Sequence, residues 1–517
     1  MATLPIKFKL TTLIWCLALC CSVILVVFAY NMYPVPDGDA IGPIPAIKAY
    51  AMSGILENKL FLIESTIDPR GMGRYLAYPP GMPLFFGSLM SIYSAKSYQD
   101  VIILLSLARC ASTFIFAKVV ILMIRRRSYQ SNLLGTLLVL LLIASNGFFL
   151  FASNGRSEIL SILIVSIALL ATLSIKPQLQ RHGCIQICVA LLFPVSIANG
   201  LIGACLYCIY LVFDLDKMHK RILFFFVLLL VSVIIFVCSY VLVGIPVRDG
   251  LGGIMLHAKA AVAGYRLELS FEQSLNYYKT WIIFGFLAFI QLSLYIVGFL
   301  RNKTKLWPDK LVLLLTFSTF IFLAYYFGGR FASQHYNLYA FLPIYQLFAL
   351  EFAINPSNKK FGLPRKLWLT ILLLASFIAL LQPLQIIFLY PYYQVSGSTY
   401  TNMKSKYETI DTGGCHVVYT VGVAMLDSNQ VGSLYEPDDL SGIVPTERMK
   451  REAYKDTCVV AFVQEVNSYA RTPRDMQLIA DFNDRSRYTN ILKSLRLLKS
   501  PKGYSFSVYR GKVKLPS

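Results

Sequence analysis

The sequence predicts a polytopic α-helical membrane protein of about eleven spans, followed by a small α/β domain. Of the 517 residues, 56% are hydrophobic and only 15% are charged, whereas soluble proteins carry roughly 25% charged residues. Several apolar runs reach the roughly 18–20 residues that cross a bilayer. After residue 390 the chain becomes charged. We therefore predict a transmembrane domain at 1–390 and an α/β domain at 391–517.

The apolar runs define the predicted spans in chain order. The first run follows Lys7 and Lys9 and lacks a small-residue cleavage site, so it is predicted to be an uncleaved span rather than a signal peptide. The fifth and sixth runs are short and almost continuous around "FPVSIANG", which predicts a tight helical pair. The runs lie near residues 11–30, 99–124, 132–151, 158–175, 184–198, 199–213, 222–243, 281–299, 310–328, 335–354 and 367–389.

The basic residues behind the net charge of +21 cluster in short loops between these runs. If the N-terminus is cytoplasmic, every loop on the inner side is basic, as the positive-inside rule requires. The loops at 31–98 and 244–280 and the tail then lie outside. The charge therefore orients the chain first and attracts anionic lipid or a lipid-linked substrate second, and no nucleic-acid partner is predicted. The one N-x-S/T sequon, at Asn302, falls inside, which favours a bacterial inner membrane.

The tail contains the short strand-like runs "HVVYTVGVAML", "TCVVAFVQEV" and "YSFSVYR" beside helix-like stretches. This mixture predicts a small α/β domain. Cys415 and Cys458 lie in the tail and could pair if it is extracytoplasmic. The other nine of the eleven cysteines lie in apolar runs, where they are predicted to act as small apolar side chains.

An acidic segment follows the first span, in "YPVPDGDAIGPIPAIK" at 33–48. Its prolines and glycines exclude an uninterrupted helix, so a turn is predicted. The following "AIKAYAMSGIL" predicts a short interfacial helix. Asp37 and Asp39 could stabilise the start of that helix, supply a general base, or hold a divalent cation such as Mg²⁺ or Mn²⁺ beside a phosphate. The Asp-x-Asp pattern alone does not choose among these roles.

The order of elements over residues 1–350 resembles the GT-C superfamily of membrane glycosyltransferases. "DGDAIGPIPAIKAYAMSGIL" resembles the family's first outer loop, and "YPPGMP" at 78–83 resembles its Pro-Pro element. "LARCAS" at 107–112, "NGRSEILSILIVSIALL" at 154–170 and "GGRFASQHYNLYAFLPIY" at 328–345 resemble its second span, its fourth span and a late aromatic segment. The resemblance implies inverting transfer of a sugar from a polyprenyl-phosphate donor to a glycolipid, polysaccharide or protein on the outer face.

The resemblance also implies roles for individual residues. Asp39 matches the family's catalytic acid by its spacing to Gly54, and Asp37 is second. Family members usually carry Asp-Glu here, whereas Ala40 follows Asp39, and some members instead use Asp-x-Asp with a metal. Metal binding by this pair therefore stays open.

A polyprenyl-phosphate donor needs cations for its phosphate, which arginine can bind in bidentate fashion. An interfacial anchor is the alternative role for each basic residue on the outer side. The candidates are Arg156, His257, Lys259, Arg266, Arg330 and His335.

Four further residues are candidate substrate contacts: Arg109, Glu158, Tyr78 and Tyr336. Arg109 lies inside a span, where a charge indicates function by default, although an ion pair with Glu158 would explain it equally well. Tyr78 and Tyr336 could contact the sugar, with an aromatic belt at the interface as the alternative.

Two other functions are compatible with this pattern. An O-antigen polymerase or ligase would also act on lipid-linked glycans, but would depend on Arg330 and His335 rather than on an acidic first loop. A transporter or flippase would be expected to show inverted repeats and broken polar spans, and the sequence shows neither strongly. Walker A, zinc-protease and nucleophile-elbow motifs are absent.

Overall fold

Over the residues that it describes, the computed structural model is a helical bundle joined to a sheet of five strands. The helices that precede the tail are α1 (Ile6–Tyr30), α2 (Pro43–Ser53), α3 (Gly81–Ile92), α4 (Tyr98–Arg126), α5 (Leu133–Phe148), α6 (Glu158–Ser174), α7 (Gln178–Val195), α8 (Ile197–Asp214), α9 (Met218–Leu242), α10 (Val247–Gly264), α11 (Leu342–Ile354) and α12 (Arg365–Val395). The structure describes residues 6–36, 42–57, 78–93, 97–126, 133–148, 151, 155–264, 340–354, 365–419, 421–427, 433–434, 458–464, 476–482 and 503–512.

Within these ranges, four helices are long and apolar enough to cross a membrane: Leu10–Tyr30 of α1, and all of α4, α8 and α9. Helices α3, α5 and α6 are apolar but shorter. The predicted spans at 281–299 and 310–328 lie outside the described residues. The polytopic helical character is confirmed, while the count of about eleven spans stays a prediction.

The predicted tight pair corresponds to α7 and α8. Ser196 separates the two helices in an extended conformation (φ −160°, ψ 120°), and its hydroxyl accepts a hydrogen bond from the backbone N–H of Asn199. At the other end of the pair, the Asp214 carboxylate lies 2.7 Å from the Arg181 guanidinium and 3.0 Å from His182 Nε2. The pair is therefore fixed by polar contacts at both ends.

Gly81, inside the "YPPGMP" element, marks a close approach between α3 and α7. A Cβ added at Gly81 would lie 2.5 Å from the carbonyl oxygen of Pro194 and 2.9 Å from the nitrogen of Val195. Backbone atoms cannot move aside as a flexible side chain can. The glycine therefore allows α3 to rest directly on the end of α7.

We expect Gly81→Ala to lower the free energy of unfolding by about 1–3 kcal/mol, because the added methyl group overpacks a backbone contact. The matched control is Gly183→Ala in α7, where an added Cβ meets nothing within 4 Å. Alanine favours helix there, so stability should hold or rise. Thermal unfolding of both variants in detergent measures the difference, and equal melting temperatures would contradict the prediction.

The tail contains helices α13 (Tyr400–Glu408) and α14 (Val421–Ala424) and strands β1 (His416–Tyr419), β2 (Ser433–Leu434), β3 (Cys458–Val463), β4 (Gln477–Asp481) and β5 (Ser507–Lys512). The sheet order is β2-β1-β3-β5-β4. Strand β1 is parallel to β2 and β3, and β5 is antiparallel to β3 and β4.

This sheet fits the α/β composition predicted for the tail. The strand-like run at 416–426 is shorter than predicted, since β1 ends at Tyr419 and α14 follows. Helix α12 continues past the predicted boundary at residue 390 to Val395. Cys415 and Cys458 form a disulfide that joins the start of β1 to the start of β3.

Candidate functional site

Helix α1 ends in a buried bend at residues 31–36, directly before the two predicted catalytic carboxylates. The N–H groups of Asn31, Met32 and Tyr33 bond to carbonyls of the last turn of α1 at 2.9–3.2 Å. Met32 is fully buried and adopts a φ of 52°, in the left-handed region that side-chain-bearing residues rarely enter. Such a conformation costs about 1–3 kcal/mol and persists only where the surroundings fix it.

Asp37 and Asp39 themselves fall at 37–41, outside the described residues. Their flanks are described on both sides. Pro36 ends the bend, and α2 begins with Pro43 at its first position, where the fixed φ and the missing N–H of proline suit a helix start. A helix is therefore present where one was predicted, although it begins at Pro43 rather than Ala46 and ends at Ser53; its position at the membrane interface stays a prediction. In sequence, the acidic residues lie between these two described elements.

Helix α2 is buried over its first six residues, Pro43–Lys48, and becomes more exposed towards its end. Ile44, Ile47, Lys48 and Ala51 follow the i, i+3, i+4, i+7 spacing of a single helical face. Lys48 is only 4% exposed, and its Nζ lies 4.5 Å from the centre of the Tyr98 ring. Burial lowers the pKa of the Lys48 amine, an effect that the nearby Asp427 carboxylate opposes.

Lys48 was not among the predicted phosphate-binding residues. The signal that could have found it is the spacing just described, because a lysine on the apolar stripe of an interfacial helix must be buried or paired. It is a buried cation in the helix that follows residues 37–41 in sequence.

Arg156 and Glu158 form an ion pair at the start of α6. Arg156 Nε lies 3.1 Å from Glu158 Oε2. Glu158 is buried in the first turn of α6, while Arg156 stays partly exposed. The carboxylate thus favours the helix dipole and orients the guanidinium of Arg156, whose side chain is 11% exposed.

Arg109 lies in a polar network between helices. It is fully buried, and its guanidinium donates hydrogen bonds to the Ser112 hydroxyl and to the backbone carbonyl of Asn146. The Asn146 amide donates to Gln346 Oε1 at 2.8 Å, and Gln346 Nε2 donates to the Ser145 hydroxyl at 2.9 Å. These contacts join α4, α5 and α11, which is the usual use of polar side chains between membrane helices. A role of Arg109 as a substrate contact stays a prediction.

The structure describes the remaining predicted residues to different extents. Tyr78 lies just before α3 and is 38% exposed. His257 and Lys259 belong to α10, but their side chains lie outside the described part of the molecule. The predicted residues whose whole placement lies outside it are Arg266, Arg330, His335 and Tyr336.

No cluster of three or more histidine, cysteine, aspartate or glutamate side chains that could hold a metal occurs among the described residues. The predicted ligands Asp37 and Asp39 are not among them. A role for Mg²⁺ or Mn²⁺ therefore stays a prediction.

The whole chain can be compared with solved structures. No protein-family model and no curated protein matches the sequence. The chain is similar to the apo crystal structure of ArnT from Cupriavidus metallidurans, with a TM-score of 0.55 and 11% identity. The match covers 96% of this chain and 97% of the ArnT chain. The chain has an ArnT-like fold. Since ArnT is a GT-C glycosyltransferase, the predicted fold resemblance is confirmed.

Two further structures are similar to the ArnT-like chain. The same Cupriavidus metallidurans ArnT, bound to undecaprenyl phosphate, matches 97% of this chain and 99% of its own, with a TM-score of 0.48 and 11% identity. The Archaeoglobus fulgidus oligosaccharyltransferase, in complex with Zn and sulfate, matches 86% of this chain and 68% of its own, with a TM-score of 0.41 and 12% identity. At these identities the comparisons concern the fold alone.

Proposed function

We propose that this protein is a membrane glycosyltransferase that moves a sugar from a polyprenyl-phosphate donor to an acceptor on the outer face of the membrane. The observation that carries the proposal is the ArnT-like fold over 96% of the chain. The acidic connection between α1 and α2 supports it, because that is where the GT-C resemblance places the catalytic carboxylate. ArnT binds undecaprenyl phosphate, and we extend this class of lipid to the present chain.

In the proposed reaction, Asp39 accepts a proton from the acceptor hydroxyl or orients that hydroxyl. The acceptor oxygen forms a bond to the anomeric carbon of the donor from the side opposite the phosphate. The bond between that carbon and the phosphate oxygen breaks, and polyprenyl phosphate leaves with the electron pair, so the anomeric configuration inverts. Asp37 assists, directly or by holding a divalent cation.

The negative charge on the departing phosphate grows in the transition state, so cations fixed beside it lower the barrier. Arg156 is the described member of the predicted set, and the buried Lys48 is a further candidate. Tyr78 and Tyr336 would contact the sugar. The other proposed phosphate ligands are His257, Lys259, Arg266, Arg330 and His335.

The proposal places the tail outside the cytoplasm of a bacterial cell. The Cys415–Cys458 disulfide supports this orientation, because disulfides form and persist in oxidising compartments. The basic loops between the predicted spans support it independently. The tail would then lie on the same side as the acidic connection.

The decisive experiment reconstitutes the purified chain in liposomes with polyprenyl-phosphate sugars and a panel of acceptors. Release of polyprenyl phosphate together with a new glycoside, both detected by mass spectrometry, would support the proposal. Translocation of labelled lipid without transfer would overturn it in favour of a flippase. Activity that needs Arg330 and His335 but not Asp39 would indicate a polymerase or ligase instead.

Arg156→Gln is expected to lower kcat/KM by about 10–100-fold, because a hydrogen bond to a charged group contributes about 1.5–3 kcal/mol. Arg156→Lys keeps the charge but loses the bidentate geometry, so it should lose less. Glu158→Gln tests the ion pair separately, since it leaves the guanidinium in place. Steady-state kinetics and melting temperatures are measured together, and wild-type kcat/KM in a folded Arg156→Gln protein would remove this residue from the phosphate site.

A further inference from the structure

Tyrosine hydroxyls from the C-terminal third of the chain bond to the bend that precedes the acidic connection. The Tyr504 hydroxyl donates to the Met32 carbonyl at 2.8 Å. The Tyr393 hydroxyl donates to the Asn31 carbonyl at 2.9 Å. Tyr33, within the bend, donates to the Ile386 carbonyl of α12 at 2.6 Å. Three consecutive residues of the bend are thus tied to the end of α12 and to the tail.

The two donors to the bend are themselves fixed. Tyr504 and Tyr393 are both almost fully buried. The Tyr393 hydroxyl accepts a hydrogen bond from the backbone N–H of Tyr400 at 2.8 Å, and the backbone N–H of Tyr504 donates to the Ser398 carbonyl at 2.8 Å. Burial raises the pKa of the Tyr504 hydroxyl well above its ordinary value, so this hydroxyl stays protonated and able to donate.

The tail also packs against the bend one residue before its end. A Cβ added at Gly422 in α14 would lie 2.8 Å from Cγ1 of Val35 and 2.2 Å from Oε1 of Gln464. Gln464 is buried and donates to the Gly503 carbonyl at 2.7 Å. Only a glycine at position 422 lets this part of the tail approach Val35 so closely.

Two charges of the tail also act on Lys48 in α2: the Asp427 carboxylate raises the pKa of its amine, and the Lys404 amine lowers it. Asp427, at the end of the segment that begins with α14, is 3% exposed. Its carboxylate favours the protonated form of the buried Lys48. Residues on both sides of 37–41 therefore contact or face the tail.

We propose that Tyr504 and Tyr393 are positioning residues, which hold the bend at residues 31–36 and act through Asp39 and Asp37. This inference rests on the proposed function, since it assigns the acidic pair to the reaction. A displacement of about 1 Å in a reacting group can lower a rate about 100-fold. The tail thus contributes to the proposed reaction through Tyr504.

Tyr504→Phe removes one oxygen atom and keeps the buried ring, so it tests the hydroxyl alone. We expect kcat to fall about 10–100-fold while the KM for the donor changes by less than about twofold. The matched control is Tyr509→Phe in β5, whose ring packs against a separate cluster of Val418, Val459, Ala461 and Val463. The control should leave kcat and KM unchanged. Equal kcat values in the two variants would overturn the proposal, as would a loss confined to KM.

Hydrogen–deuterium exchange of the full chain in detergent provides a readout that does not need activity. Amides of residues 31–42 should exchange about tenfold faster in Tyr504→Phe and in Gly422→Ala, but not in Tyr509→Phe. Unchanged exchange at 31–42 in the first two variants would overturn the positioning role. A wild-type chain that transfers no sugar would overturn the proposed function, and exchange alone would then decide whether the tail fixes the bend.

Discussion

Asp39→Asn is expected to lower the rate of sugar transfer by about 10²–10⁴-fold, the range that general base catalysis contributes. The amide keeps the size of the side chain but accepts no proton at the pH of the reaction. Because the donor phosphate is bound by other groups, its affinity should change little. Single-turnover transfer in liposomes, combined with a direct measurement of donor binding, separates the two effects.

The control for this experiment is Asp411→Asn, an exposed tail carboxylate that accepts a hydrogen bond from the N–H of Gly413. It should transfer sugar at the wild-type rate.

The variant Asp37→Asn tests whether the acidic pair holds a divalent cation. If the pair holds a cation, Asp37→Asn is as severe as Asp39→Asn, and chelation abolishes activity that Mg²⁺ or Mn²⁺ restores. Full transfer by Asp39→Asn would remove the assignment of the catalyst.

Loss of the Cys415–Cys458 disulfide should have the largest effect on stability. The two cysteines are 43 residues apart in sequence, and the chain-entropy relation for a loop of that size gives about 4 kcal/mol. The double variant Cys415→Ser, Cys458→Ser should therefore unfold its tail at a lower temperature. Limited proteolysis of the tail over a series of increasing temperatures measures the temperature at which the tail unfolds.

A reductant should bring the wild-type protein to the stability of the double variant and leave that variant unchanged. The matched control changes Cys16 and Cys20, two free cysteines of α1, to serine, and its tail should remain as stable as that of the wild type.

Alkylation of intact cells before lysis tests on which side of the membrane the tail lies. Reduced, freely alkylated Cys415 and Cys458 in such cells would contradict an extracytoplasmic tail.

The helical part of the fold was largely predictable because burial in lipid imposes long apolar runs. Helices α4 and α9 and the α7–α8 pair coincide with such runs. The prolines and glycines at 34–45 correctly predicted that α1 does not continue into α2, but the helix begins earlier than predicted, at Pro43, and includes Pro45. The end of α12 was not predictable from the same signal. Hydropathy marks where a helix leaves the membrane, and α12 continues beyond that point through Pro391 to Val395.

The candidate site was predictable only in part. The acidic pair and Arg156 stand out because charged residues beside apolar runs are rare enough to notice. The partners of the bend do not stand out, since tyrosines are frequent in this chain and Tyr504 is 472 residues from Met32 in sequence. The partner of Arg109 shows the same limit, because Ser112 lies one helical turn away whereas Asn146 lies on another helix. Such pairings depend on tertiary geometry, which periodicity does not encode.

The contact between Tyr504 and Met32 has a consequence for biogenesis. The ribosome completes Met32 long before Tyr504, and at about 5–20 residues per second the intervening 472 residues take about 24–94 s. During that interval the first helix can already be inserted, but the bend at its C-terminal end lacks the hydroxyl that fixes it. A nascent or truncated chain without Tyr504 would therefore sit in the bilayer without competence for its reaction, and synthesis of the segment around Tyr504 would be a required step of maturation.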